Sequence, residues 1–263
     1  MKNVPETNFT IAFKYFYNPN CIGVSFLSKT SLIFLKGISV TIYLRVQKGV
    51  MQMDHPKVFE DYLNKGLFFD IYDEDDDFLS NKLIKNEAIE RQILNHPTFE
   101  QIVFDHVTFT ECDFDKIELT DVIFRSCDLS NCSLEDASLF RVEFQNCKMV
   151  GTSLNGSYLN SVLFKNCLLD LANLNRISFK VVEFKDTSLK DASFDENKLK
   201  QVSFDNCELD KITILNTPLK GVDFSNSRFE TIELEQNEIK GLKVNSDQAA
   251  FLARYFLGVN VLY

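Results

Sequence analysis

The chain has 263 residues, with 28 Lys and Arg against 38 Asp and Glu, a net charge of −10, 25 Phe and no Trp. A hydrophobic fraction of 45% with 25% charged residues is typical of a globular chain and excludes wholesale disorder and collagen-like structure. The acidic balance argues against nucleic-acid binding, because phosphate contacts need clustered Lys and Arg.

The first 52 residues differ from the rest in charge, with six basic side chains against one acidic side chain. Two lysines interrupt their apolar stretch at residues 21–44, which makes it a poor membrane span, and a weak signal anchor stays an alternative. The codons for residues 47–50 can form a ribosome-binding site ahead of Met51 and Met53. We therefore predict that residues 1–52 are a non-native or disordered leader and that translation starts at Met51 or Met53.

Residues 53–83 are predicted to form an N-terminal helical cap followed by an acidic loop. Asp54 can serve as the N-cap, Pro56 fits the first turn, and Gly66 can end the helix. The apolar side chains that would share its buried face are Val58, Phe59, Tyr62 and Leu63. The acidic run at residues 73–77 lacks the Gly and the final Glu that a calcium-binding loop requires, so we expect a solvated loop there and no metal site.

A five-residue repeat fills residues 84–244. Stepping by five from Phe99, thirty consecutive positions up to Val244 are apolar. The residue two positions before each of these is small or β-branched, and six of the seven cysteines occupy that slot. We interpret them as compact buried hydrophobes rather than as ligands, because no CxxC pair is present. Unpaired thiols also favour a reducing compartment, and we expect the cytoplasm.

A period of five fits neither a helix nor a strand. It fits a chain that turns a corner every five residues, so that four pentads close a square coil of twenty residues. Sorting the sequence by twenty places seven phenylalanines in one column: Phe104, Phe124, Phe144, Phe164, Phe184, Phe204 and Phe224. The sequence therefore predicts an all-β solenoid whose narrow core is filled by side-chain ladders and leaves no room for a ligand or cofactor.

Residues 245–263 follow the last pentad and are predicted to form a C-terminal capping helix and a tail. Asn245 and Gln248 have the spacing of a capping box, and Gly258 is suited to end the helix.

The thirty pentads resemble the pentapeptide-repeat family, whose pattern is a small residue, Asp or Asn, Leu or Phe, and two polar residues. The segment 241–250 and the apolar residues after it resemble the C-terminus of the Qnr-type quinolone-resistance proteins. The resemblance implies a right-handed quadrilateral β-helix with short helical caps at both ends. The register runs unbroken from Phe99 to Val244, as in loopless members of the family and unlike the enterobacterial Qnr proteins, whose loops interrupt the coil.

In Qnr-type proteins the final helix caps the coil and joins two subunits end to end. The resemblance therefore implies a homodimer through this helix, and capping of a monomer is the alternative. Leu252 and Phe256 are expected to cover the open end of the core, while Phe251 and Tyr255 are expected to face the partner.

Resemblance to the Qnr-type and mycobacterial MfpA-type proteins also implies mimicry of B-form DNA, binding to DNA gyrase or topoisomerase IV, and protection of the enzyme from quinolones or toxins. One side of the predicted rod carries eight acids against two bases. These acids, here called the acidic stripe, are Asp113, Asp115, Glu135, Asp136, Asp195, Glu196, Glu233 and Glu235. Their mean spacing is about one charge per 4 Å, close to the roughly 3.4 Å between phosphates of one DNA strand.

Two other interpretations of the acidic stripe stay open. The acids can serve only to keep a repetitive rod soluble. The rod can also be a structural or scaffolding protein that binds another protein partner and has no role at topoisomerases. No nucleophile, P-loop or metalloprotease motif is present in the sequence, and we therefore expect no enzymatic activity.

Overall fold

The structure, a computed structural model, describes residues 53–73 and 75–262 and the backbone of four strands within residues 11–44. The chain divides into two compact units, Met1–Met51 and Gln52–Tyr263.

The first unit contains an antiparallel sheet with the strand order β1-β4-β3-β2. Its strands are β1 (Ile11–Tyr17), β2 (Val24–Leu27), β3 (Thr30–Leu35) and β4 (Ile38–Leu44). They lie in the segment for which the sequence predicts a non-native or disordered leader. The start of translation at Met51 or Met53 stays a prediction, and the residues between the strands lie outside the described residues.

The second unit is a β-solenoid of about eight turns with a C-terminal helix. Residues twenty positions apart pair in parallel register, as Phe124 does with Phe144. The strands are β5 (Asn64–Lys65), β6 (Phe78–Ser80), β7 (Lys82–Lys85), β8 (Ala88–Glu90), β9 (Thr98–Asp105), β10 (Thr108–Thr110), β11 (Glu118–Arg125), β12 (Ser138–Gln145), β13 (Tyr158–Lys165), β14 (Ser178–Lys185), β15 (Lys198–Asp205), β16 (Thr213–Ile214) and β17 (Glu233–Leu234). The largest sheet follows the order β15-β14-β13-β12-β11-β9-β7-β5.

The corners of the solenoid are left-handed residues that recur every five positions. From Asn81 to Gly221, every fifth residue has a positive φ. The pattern is absent at residues 226–236 and returns at Gly241, so the last coil forms its corners differently. Four such corners per twenty residues confirm the square coil that the pentad period predicts.

The predicted phenylalanine column forms a continuous stack in the core. Ring centroids from Phe104 to Phe204 follow one another at 4.9–5.0 Å, with interplanar angles of 11° or less. The strand spacing sets this distance, since each ring lies one coil above the previous ring. At the end of the stack Phe224 turns edge-on to Phe204, at 81°.

The six described cysteines are buried, as predicted, but they are also hydrogen-bond donors. The thiols of Cys127, Cys147 and Cys167 donate to backbone carbonyls one coil back, at Sγ···O distances of 3.3–3.5 Å. In the next coil the Thr187 hydroxyl takes the same role. Burial raises the pKa of Cys207 to about 12, so this thiol stays protonated at neutral pH. The position two residues before each pentad centre therefore accommodates small hydrogen-bond donors as well as small hydrophobic residues.

The predicted helix from Asp54 to Gly66 is wrong. Residues 53–59 are extended, and only a short 3-10 turn forms at Glu60–Tyr62. Phe59 and Tyr62, expected on a buried face, are 71% and 84% exposed.

Contacts with the solenoid explain why residues 53–60, here called the strap, stay extended. The backbone amide of Lys57 donates to Asp121 Oδ1 at 2.8 Å, and His55 Nδ1 lies 2.7 Å from Glu143 Oε1. Arg125 Nη2 donates to Glu60 Oε1 at 2.6 Å. The strap therefore crosses β11 and β12 and gains its polar contacts from distant residues instead of from a helix.

Two further 3-10 helices, Phe68–Asp73 and Asp75–Asp77, follow in the cap. Phe68 and Ile71 are fully buried and close the N-terminal end of the core, where Phe68 contacts the rings of Phe99 and Phe109. Within the second of these 3-10 helices, Asp76 has a left-handed φ of 60°, so residues 75–77 of the acidic run form an irregular turn rather than a regular helix.

The C-terminal helix α1 spans Ser246–Leu257. Asn245 and Gln248 form the predicted capping box, and Gly258 ends the helix in the left-handed conformation. The side-chain amide of Gln248 also donates to the carbonyl oxygens of Phe224 and Ser227, at 3.0 and 2.8 Å, which attaches the helix to the last coil.

The apolar residues of α1 differ in how far the solenoid buries them. Leu252 is buried against the core and Phe256 packs on it, as expected. Phe251, expected to face a partner, instead packs on the solenoid, with its ring centroid 5.6 Å from that of Phe229. Tyr255 is 50% exposed and remains accessible. Phe251 is only partly buried by this contact, and its role in binding a partner stays a prediction.

Candidate partner-binding site

The eight residues of the acidic stripe lie on one side of the solenoid. Parallel bridges join residues 113, 133, 153, 173, 193 and 213 in sequence, and Thr213 pairs with Glu233 in β17. Because each step advances the column by one coil, the stripe extends about 29 Å along the axis. The side to which the sequence assigns these acids is therefore a single continuous face, whereas their role in binding stays a prediction.

Along this face the charge is concentrated in two clusters. The first cluster is Asp113, Asp115, Glu135 and Asp136, and the second is Asp195, Glu196, Glu233 and Glu235. Between them lies a shallow depression lined by asparagines and by Arg176, whose Nε donates to Asn155 Oδ1 at 3.0 Å. Three coil steps, about 14 Å, separate Glu135 from Asp195.

Several of these carboxylates serve the solenoid itself. Asp115 accepts the backbone amide of Glu135 at 3.1 Å and the hydroxyl of Ser133. Asp195 accepts the backbone amide of Leu215 at 2.8 Å. Since such bonds join one coil to the next, replacing these acids would change stability as well as surface charge.

Three members of the stripe combine an exposed side chain with the lack of a hydrogen bond from a backbone amide of a neighbouring coil. Asp136, Glu196 and Glu233 are exposed side chains, divided between the two clusters. Glu233 accepts one long hydrogen bond, 3.5 Å from the hydroxyl of Thr213. These residues present most of the charge that a partner would meet.

The pKa values of two stripe residues show how acidic the face is. Burial raises the pKa of Asp113 and of Asp195, and the nearby carboxylates of Asp115 and of Glu233 raise these pKa values further. Keeping both groups ionised therefore costs free energy in the isolated protein. A cationic partner would relieve that cost, since an opposite charge favours the ionised form.

The C-terminal end carries apolar groups that the sequence analysis did not assign. Leu257, Val259 and Leu262 are 65%, 43% and 92% exposed, next to Tyr255. Exposed apolar residues at a chain end are a weak signal in a sequence, because their exposure depends on what covers them. These residues lie at the end of the chain where a second subunit is predicted to bind.

The N-terminal cap exposes aromatic residues whose exposure was not predicted from the sequence. Phe59, Tyr62, Phe69 and Tyr72 all project from it. For Phe69 and Tyr72 the sequence did contain a signal, a spacing of three residues. In a 3-10 helix this spacing places both rings on one side, away from the inward-pointing Phe68 and Ile71.

In the part of the chain that the structure describes, no three His, Cys, Asp or Glu side chains are arranged to hold a metal ion. None of the described helices is long and apolar enough to cross a membrane.

A family described as "Pentapeptide repeat region" matches residues 97–174, 117–194 and 172–244. A comparison with curated proteins gives no match. Among solved structures, full-length QnrB1, a plasmid-mediated fluoroquinolone resistance protein, is 16% identical over 67% of this chain and 100% of its own, with a TM-score of 0.44. HetL, a pentapeptide repeat protein involved in heterocyst differentiation regulation from the cyanobacterium Nostoc sp. strain PCC 7120, is 16% identical over 64% and 85%, with a TM-score of 0.24. Likeness at this level carries no functional argument.

Proposed function

Because the chain belongs to the pentapeptide-repeat family, we propose that it is a non-catalytic binding protein whose acidic stripe mimics DNA. The partner is the basic DNA-binding surface of a type II topoisomerase, DNA gyrase or topoisomerase IV. Binding there would compete with DNA and protect the enzyme from quinolones or toxins. The observation that carries the proposal is the alignment of eight acids on one face of a rigid rod.

The division of the acidic stripe into two clusters supports this choice of partner. The separation of about 14 Å is close to the roughly 12 Å width of the major groove of B-DNA. Two clusters at this spacing fit two basic patches that normally contact phosphates on either side of a groove. A surface evolved only for solubility needs no such arrangement, since interspersed charges serve it equally well.

A supercoiling assay with DNA gyrase and ciprofloxacin tests the proposal. The protein is expected to inhibit supercoiling or to restore it in the presence of the drug. Reversal of the exposed acids in the triple variant Asp136→Lys, Glu196→Lys, Glu233→Lys is expected to abolish either effect, because it changes the net charge of the face by six units while sparing the carboxylates that accept backbone amides.

A matched control keeps the overall charge change but moves it to other sides of the rod. Glu118, Asp186 and Glu230 are exposed acids outside the acidic stripe. Their reversal to Lys is expected to leave the effect on gyrase intact. If both triple variants lost the effect on gyrase equally, the stripe would act only through its net charge. If the wild-type protein had no effect on gyrase at any concentration, the scaffolding function would be favoured.

We also propose that two subunits associate through α1. Tyr255 and the exposed apolar residues after it provide the contact surface. Sedimentation equilibrium is expected to give twice the chain mass of 30.3 kDa. The double variant Tyr255→Arg, Leu257→Arg is expected to sediment as a monomer, whereas Leu171→Arg on the solenoid side should remain dimeric. A wild-type monomer would leave α1 as a simple end cap.

A further inference from the structure

The N-terminal cap exposes an ordered pair of aromatic rings. In the 3-10 helix Phe68–Asp73, residues three apart lie above one another. Phe68 and Ile71 therefore enter the core together, while Phe69 and Tyr72 point outward together. The two outward rings are stacked, with centroids 6.2 Å apart and an angle of 26°.

Local hydrogen bonds hold this pair in place. The Tyr72 hydroxyl donates to Gln92 Oε1 at 2.6 Å, which fixes the ring against the first coil. Asp70 Oδ2 accepts the amide of Leu67 at 3.1 Å and the ammonium group of Lys82 at 3.0 Å, which fixes the start of the helix. The rings are therefore preorganised, and a partner would bind them without first ordering them.

Other apolar groups extend the exposed surface of the cap. Phe59 and Tyr62 form an edge-to-face pair with centroids 6.4 Å apart. Leu67 and Phe78 are 58% and 38% exposed. Exposed aromatic residues in this number are typical of protein interaction surfaces, where Tyr and Phe provide large contact areas.

The charge around these rings is strongly negative. Residues 59–78 contain eight acids, and Lys65 is their one basic side chain. Two of these acids, Glu60 and Asp70, are paired with Arg125 and Lys82, which leaves at most six to pair with a partner. Burial raises the pKa of Tyr72, and the negative charge of Asp77 raises it further. Asp73 and Asp76 are exposed in the same segment.

The exposed aromatic pair and the negative charge of the surrounding segment together define the partner. A second copy binding through the same surface would bring two acidic segments together, which like-charge repulsion opposes. An arginine side chain satisfies both properties, because its planar guanidinium stacks on aromatic faces and pairs with carboxylates. We propose that the N-terminal cap binds an arginine-containing basic protein segment, with a guanidinium stacked on Phe69 and Tyr72 and the neighbouring acids paired with its other cations.

The absence of Trp from the chain allows a direct test at this position. The full-length Tyr72→Trp variant keeps an aromatic ring in the pair, although it loses the hydrogen bond to Gln92. Its single tryptophan reports only on the cap, even when a cationic probe also binds the acidic stripe. Titration with a nona-arginine peptide is expected to change the tryptophan emission of this variant saturably. Adding Phe69→Ala is expected to weaken the affinity about fivefold, as loss of one stacking partner predicts.

A tryptophan on a side of the solenoid provides the control. Tyr158 is 41% exposed and lies outside the cap, so Tyr158→Trp should show little change with the same peptide. Equal responses at both positions would mean nonspecific binding and would overturn the proposal. It would also be overturned by an unchanged affinity after Phe69→Ala, or by nona-lysine binding as tightly as nona-arginine, because either result removes the stacked guanidinium.

Discussion

The solenoid and the N-terminal cap place the same residue type by different rules. In the solenoid, a phenylalanine at the centre of a pentad is buried in every coil before Phe229 of the last one, because each coil repeats the previous one in register. In the cap, Phe68 is fully buried and its neighbour Phe69 is 46% exposed, and only the three-residue spacing of one six-residue helix separates them. Repetition makes the surroundings of a residue predictable, whereas the cap depends on individual contacts with distant residues.

Removing a ring from the stacked column should give the largest effect. Phe164 lies 5.0 Å from both Phe144 and Phe184 and is fully buried. We expect Phe164→Ala to lower the free energy of unfolding by about 4 kcal/mol, because it leaves a cavity in a narrow core that cannot collapse. Urea denaturation followed by circular dichroism measures this change.

Phe69→Ala in the cap is the matched control. Since this ring is half exposed, we expect a loss of less than about 1 kcal/mol. Similar losses for the two variants would contradict the difference between the solenoid and the cap.

The junction of the two regions should show an intermediate effect. Asp121 accepts two hydrogen bonds from the Arg141 guanidinium, at 2.5 and 2.6 Å, and one from the Lys57 amide of the strap. Asp121→Asn retains the shape but removes the charge, and we expect it to lower the free energy of unfolding by about 2 kcal/mol. Arg141→Lys should retain less than half of the stabilisation that the bidentate contact provides, measured as the free energy of unfolding.

The pH dependence of this contact has a defined sign. Burial raises the pKa of Asp121, but the hydrogen bonds from Arg141 and Lys57 outweigh burial and hold the pKa below its ordinary value. The stabilisation is therefore complete above the unfolded-state pKa, about 4, and is lost as the pH falls through the lower folded-state value. The difference in unfolding free energy between wild type and Asp121→Asn should shrink below about pH 4. A constant difference between pH 6 and pH 3 would show that the charge of Asp121 is not involved.

A substitution at a corner of the solenoid should have the smallest effect on the free energy of unfolding, and this effect should be stabilising. Leu171 occupies a left-handed corner, with φ of 60°, and is 62% exposed. Asn tolerates this conformation better, so Leu171→Asn should raise the free energy of unfolding by about 0.5–1 kcal/mol. Leu168→Asn, at an exposed position without positive φ, should bring no gain. A gain at both positions would indicate a general effect of polarity.

The candidate site could be predicted only in part. Counting charges by the twenty-residue period placed Glu135 and Asp195 on one face, because residues in register must share a side. That count could not show that both carboxylates bind the neighbouring coil, since the coil-joining bonds depend on side-chain conformation. The exposed pair Phe69 and Tyr72 was missed because their helix has only six residues and no repeat.

The sequence by itself determined the square solenoid, its phenylalanine column and the acidic face, because a strict period repeated in register leaves each side chain one possible direction. At the ends the sequence predicted α1 and its capping box, and the tertiary structure decided the remaining contacts. The strap stays extended because its polar groups pair with Asp121, Glu143 and Arg125. Phe251 packs on the solenoid because it contacts the ring of Phe229. These contacts join residues that no local pattern connects, so only the folded chain brings them together.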